Sequence, residues 1–128
     1  MIIEGETGTQ RLLGYVLEIA GDRAKCRLML TEDHTNRHSA LHGGIAAAVL
    51  DNAMGATGSL TVDETGKAPF LTVSMTINYH APARVGDLLE AEGWVTGGGR
   101  SLVFIGGELR AGDRLIATAS GVFKRVKT

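Results

Sequence analysis

The chain has 128 residues and a formal net charge of -1, which excludes a protein that works mainly by neutralising nucleic acid phosphates. Hydrophobic residues make up 44% against 21% charged, an ordinary globular mix with enough chain for one domain and a real core. Cys26 is the only cysteine, so no intrachain disulfide can form, and a reducing cytoplasm suits the chain.

Met1 to Glu6 has no basic stretch and no long apolar run, so a signal peptide is not expected. Residues 12–19 have mixed apolar character. In residues 23–30, Ala24, Cys26, Leu28 and Leu30 alternate with Arg23, Lys25, Arg27 and Met29. Joined by Gly21-Asp22, the two stretches read as a β-hairpin, with Cys26 as a small buried thiol rather than a nucleophile. Residues 31–39 are polar and irregular and read as a loop, where functional side chains tend to sit.

Residues 42–59 read as a helix that is apolar around its whole circumference, hence buried. Asp51 is the one formal charge between Gly43 and Leu60, and a carboxylate in such a run must be solvated, paired or working. The run is too short, too rich in Gly and Ala, and too interrupted by Asp51-Asn52 to span a membrane. After a turn-rich loop, Leu71, Val73, Met75, Ile77 and Tyr79 alternate with Thr72, Ser74, Thr76, Asn78 and His80, the clearest strand in the sequence. Residues 88–96, 101–109 and 114–126 are three further strands, with Val103, Ile105 and Leu109 sharing a face. The order β-β-α-β-β-β-β with short late turns predicts one helix on a curved antiparallel sheet, an α+β architecture in one domain over residues 1–128.

Several motifs stand in a specific order. His42-Gly43-Gly44 is followed after six residues by Asp51-Asn52 and preceded by Asn36. Residues 73–83 and Gly99-Arg100-Ser101 follow. This pattern resembles the hotdog-fold acyl-CoA thioesterases of the PaaI-like subfamily, within the 4-hydroxybenzoyl-CoA thioesterase superfamily, from about residue 12 to residue 124. The resemblance implies a helix wrapped by an antiparallel sheet, a homodimer often paired again into a homotetramer, and hydrolysis of an acyl-CoA without metal or organic cofactor. No nucleic acid or membrane partner is expected.

A helix N-terminus offers unpaired N–H groups and a positive dipole end, and glycine lets a ligand approach the backbone. Gly43, with Gly44, is therefore the candidate carbonyl-polarising donor; the plain alternative is a tight helix start. The resemblance makes Asp51 the general base or nucleophile and Asn36 an orienting amide, although Asn36 also suits an Asx turn. His42 either donates to the thioester or caps the helix. Thr72 either holds water beside Asp51 or faces solvent. Arg84 and Arg100 are candidates for the CoA phosphates, with His80 and Ser101 beside them.

Eight residues separate Gly43 from Asp51, roughly 12 Å along a helix, so one thioester carbonyl cannot touch both within one chain. If both act, they belong to opposite subunits of a two-fold dimer. His34, His38 and His42 stand four apart but lack a helical apolar pattern and an acidic or thiol ligand, so a metal site is not expected. Ser39 has no G-x-S-x-G context. A hotdog hydratase or dehydratase and a non-catalytic acyl-CoA-binding domain are the rival readings. The hydratases' longer Asp/His loop is missing, and Asp51 and Asn36 argue against an inactive domain. An aryl or medium-chain acyl group is the expected substrate.

Overall fold

The helix at the centre of the molecule begins where His42 turns the chain, with extended backbone (φ -66°, ψ 132°) and an imidazole that accepts from the Gly44 N–H. It runs as α2 (Gly43–Ser59). The computed structural model describes residues 1–127. Around α2 lie β1 (Ile2–Ile3), α1 (Gly8–Leu13), β2 (Val16–Ala20), β3 (Arg23–Met29), β4 (Phe70–Tyr79), β5 (Leu88–Gly98), β6 (Leu102–Ala111) and β7 (Arg114–Arg125). The strands form one antiparallel sheet in the order β1-β2-β3-β5-β6-β7-β4, an α+β fold. No helix among the described residues is long and apolar enough to cross a membrane.

The sheet takes the helix deeply because it lacks side chains under it. Gly93 on β5 pairs with Gly107 on β6. A Cβ at Gly107 would lie 2.8 Å from Met54 Sδ, and one at Gly93 would lie 2.9 Å from Thr57 Oγ1 and 3.2 Å from Met54 Cα. Gly121 on β7 leaves space for Met54 Cε and the Phe123 ring. Met54 is fully buried in this trough, among Val49, Leu50, Ile105, Leu109 and Phe123. Burial of that apolar surface is the main stabilising term.

The N-terminal stretch differs from the sequence reading. Residues 12–19 are not one strand: α1 ends at Leu13 and β2 starts at Val16. The Thr7 hydroxyl accepts from the Gln10 N–H at 3.1 Å, and Gly14 closes the helix at φ 85°. Six residues are too few to display a helical period. The loop over residues 31–39 contains a 3-10 turn, Glu32–His34, and β5 runs on to Gly98.

The largest difference is in β4. Strict alternation puts Thr72 opposite Met75, Ile77 and Tyr79. A bulge between Thr72 and Ser74 inserts one residue, so Thr72 pairs with Phe123 and Met75 with Gly121. Thr72, Met75, Ile77 and Tyr79 therefore all face α2. Nor is α2 buried all round: the sheet covers Val49, Leu50, Ala53 and Met54, while Ala47, Ala48, Asp51 and Gly55 are only half-buried.

A side chain in the trough cannot be accommodated by rotamer change alone. Gly107→Val should destabilise the fold by about 1–3 kcal/mol, read as a lower urea midpoint at unchanged m-value; an unchanged midpoint would show that the trough is not needed.

Candidate active site

Two clusters flank α2, one at its start and one two turns along. At the start, the Gly43 N–H has no acceptor among the described residues, as expected for the first residue of a helix. The Gly44 N–H is not a second free donor, because it is given to His42 Nδ1 at 2.9 Å. That bond leaves Nδ1 unprotonated and puts the proton of the neutral ring on Nε2, a tautomer assigned from the hydrogen-bond network. So His42 caps the helix and also presents an Nε2–H outward; the two sequence readings are compatible. Gly44 is constrained by the same contact, since a Cβ there would sit 2.9 Å from the imidazole Cε1.

Asn36 likewise has one side-chain atom committed and the other free. Its Oδ1 accepts from the backbone N–H groups of His38 (2.9 Å) and Ala40 (3.2 Å), an Asx-type turn that holds the side chain. Its amide NH2 has no acceptor among the described residues and is left as a donor. Asn36, Leu41, Gly43, Tyr79, His80 and Pro82 line one cavity of about 450 Å³. Tyr79, which the sequence reading placed only on an apolar strand face, donates its hydroxyl to the Gly43 carbonyl at 2.8 Å. His80 Nε2 is 2.8 Å from Thr118 Oγ1.

The second cluster is Asp51 with Thr72. The Thr72 hydroxyl donates to Asp51 Oδ1 at 2.5 Å, so the threonine reaches the carboxylate while its side chain stays exposed. Oδ2 has no partner among the described residues. Next to it, Asn52 is tied at both ends of its amide: Oδ1 accepts from the Tyr15 hydroxyl and Nδ2 donates to the Ala48 carbonyl, both at 2.8 Å. Asp51 does not line the cavity of Asn36 and Gly43. The clusters are separate within one chain, in line with the eight-residue spacing.

The four residues considered for CoA phosphates are not gathered together. His80 joins the Asn36 cavity. Ser101 lies in a second cavity of about 510 Å³ with Leu71, Lys124, Arg125 and Lys127, one residue along β4 from Thr72. Arg100 is exposed in the adjoining turn, and Arg84 lines neither cavity. The sequence reading missed Lys124, Arg125 and Lys127; three cations in four residues at the end of β7 were the available signal. The histidines do not form a ligand set: His34 is buried, taking the Thr31 N–H on Nδ1 and giving Nε2–H to the Leu13 carbonyl at 2.8 Å.

A family model described as "Thioesterase superfamily" matches residues 38–118. Human acyl-coenzyme A thioesterase 13 is 34% identical over 112 residues, covering 84% of this chain and 78% of that protein. Zebrafish thioesterase superfamily member 2 is 28% identical with a TM-score of 0.75, over 96% of this chain and 89% of that one. The PaaI protein of the Escherichia coli phenylacetic acid degradation operon has the same fold, with a TM-score of 0.80 at 18% identity over 95% and 86% of the two chains.

Cys26 makes no side-chain hydrogen bond to either cluster among the described residues. It is wholly buried, and burial pushes its thiol from the ordinary 9.0 up to about 12. The unfolded thiol loses its proton near 9 while the folded one keeps it. Stability therefore falls as pH rises between those two values. Cys26→Ala should flatten this alkaline slope by up to about 1.4 kcal/mol per pH unit, measured by urea unfolding between pH 9 and 11; an unchanged slope would refute it.

Proposed function

The chain belongs to the thioesterase superfamily, with a hotdog fold of the PaaI type, and from that premise we propose that it hydrolyses an acyl-CoA thioester to the free acid and CoA. The observation that carries the reading is the pair of half-sites on α2. One holds an unpaired N–H at a helix N-terminus beside two side-chain donors. The other holds a carboxylate oriented by a strand hydroxyl.

The reaction follows from these groups. The Gly43 N–H, at the positive end of the helix, polarises the thioester carbonyl and stabilises the oxyanion, with Asn36 in the same cavity and the exposed His42 ring next to Gly43 in the chain. Asp51 of the opposite subunit acts as general base. Thr72 engages Oδ1, which leaves Oδ2 to accept a proton from water. Water oxygen bonds to the acyl carbon, the C–S bond breaks, and the proton taken by Asp51 goes to the CoA thiolate. Leu41, Tyr79, Ala81 and Pro82 offer the acyl group, aryl or medium-chain, a mainly apolar wall. The cavity of Ser101, Lys124, Arg125 and Lys127, with Arg100 near it, supplies the positive charge that CoA phosphates need. Arg84 is left to the outer part of the CoA path.

Assembly into a dimer is part of the proposal. β4 is an edge strand of ten residues without a charge or a proline, the usual guards against edge pairing. Leu71, Val73 and Tyr79 on it are 62%, 58% and 55% exposed, too apolar a surface to leave in water. Pairing of two copies along β4 covers it and the half-buried face of α2. Trp94, Leu102 and Phe104, exposed on the sheet face turned away from α2, which Leu71 shares, suit a second pairing into a tetramer. The whole chain works as one hotdog domain without metal or organic cofactor, and a reducing cytoplasm suits its one buried thiol.

A panel of aryl- and medium-chain acyl-CoAs with a thiol reporter tests the activity. Asp51→Asn and Asp51→Ala should lower kcat by about 100-fold or more. Full activity in Asp51→Ala would end the mechanism, and no CoA release by the wild type from any substrate would end the thioesterase reading.

The shared site has its own test. Gly43→Pro removes the N–H at the first helical position, where the backbone suits proline although its Cβ crowds Tyr79. Mixed with Asp51→Ala under subunit exchange, it should regain about a quarter of wild-type activity, one intact site in half of the dimers. No recovery despite verified exchange would place both groups in one subunit's site.

A further inference from the structure

The Gly43–Gly44 peptide group is held on both sides. Its carbonyl, on Gly43, accepts from the Tyr79 hydroxyl at 2.8 Å. Its N–H, on Gly44, donates to His42 Nδ1 at 2.9 Å. The groups are in series: Tyr79 O–H to carbonyl, then peptide N–H to imidazole Nδ1, and the exposed ring keeps an Nε2–H without a partner among the described residues. Donation to a carbonyl makes the N–H of the same peptide a stronger donor, because polarisation passes along a hydrogen-bonded chain. A stronger donor at Nδ1 holds the imidazole in the tautomer that keeps the proton on Nε2.

We propose that Tyr79 is a positioning residue that acts through the Gly43–Gly44 peptide on His42, fixing the ring's tautomer and aim so that Nε2–H points at the thioester. The inference rests on the hydrolase reading only for what His42 does to substrate; the relay itself is a property of the free protein. The close approach of ring and backbone belongs to the same device: a Cβ at Gly43 would lie 3.3 Å from Tyr79 Oη, and one at Gly44 would lie 3.0 Å from His42 Nδ1. Both glycines keep side chains out of the relay. A tyrosine that merely filled space would have no need of its hydroxyl, and phenylalanine would serve equally well.

Two measurements test this. Long-range 1H–15N spectra of the His42 ring should show the Nε2-protonated tautomer in the wild type and a mixture of both tautomers in Tyr79→Phe. An Nδ1-protonated ring in the wild type, or identical spectra in the two proteins, overturns the relay. In steady-state assays Tyr79→Phe should lower kcat about five- to tenfold, with KM moved by less than about twofold. In a His42→Ala background the same change should have no further effect; an equal, additive loss there overturns the proposal. A wild type with the expected spectra that releases no CoA would support the relay and count against the hydrolase reading alone.

Discussion

The close approach of Met54 to the sheet decides where everything else on α2 lies. Because Gly93, Gly107 and Gly121 present no Cβ, the helix lies in a trough instead of riding on a layer of side chains. That depth fixes its rotation as well as its height. With Met54 pointing down into β5, β6 and β7, Asp51 is turned to the side where β4 stands, and Thr72 reaches it. A helix raised by one layer of valines would keep the same residues and lose both contacts with β4.

β4 then ties the two half-sites to one scaffold. Thr72 meets Asp51 and Tyr79 meets the Gly43 carbonyl, yet seven residues separate them, an odd number that ordinary alternation sends to opposite faces. The bulge supplies the missing residue of phase. One irregularity in an otherwise continuous strand thus lets a single β-element contact both Gly43 and Asp51 on the helix. Such a bulge also increases local twist and bends the strand, which helps β4 follow the curve of the sheet around α2.

Much of this was legible in the sequence because it depends on period. The alternation of residues 23–30 and 71–80, the apolar helix from His42 to Ser59, and the order of elements all come through without partners. So does the family pattern of His42-Gly43-Gly44 and Asp51, on which the assignment of roles leans. What stayed hidden depends on local bonds that leave no periodic trace. α1 is held by one threonine cap and one left-handed glycine. The bulge at Thr72 could not be seen, so a strand hydroxyl beside Asp51 and a solvent-facing threonine were equally good readings. For Asn36 and His42 the turn and the cap do not exclude the other reading. The turn or cap uses one atom of the side chain and leaves the other free.

The packing around the helix start also explains why glycine stands at Gly43. Carbonyl polarisation by a backbone N–H needs no side chain, and any residue but proline would carry that donor. A substrate's approach is one reason to keep the position bare, but the closest neighbour is Tyr79, whose hydroxyl and ring lie 3.3–3.6 Å from where a Cβ would stand. A methyl group there would press on the ring that orients the Gly43–Gly44 peptide, and through it on His42, before it touched any ligand. The glycine is thus required by the protein's own packing, and the free Gly43 N–H and the Tyr79 hydroxyl on the adjoining carbonyl are held by the same few ångströms of space.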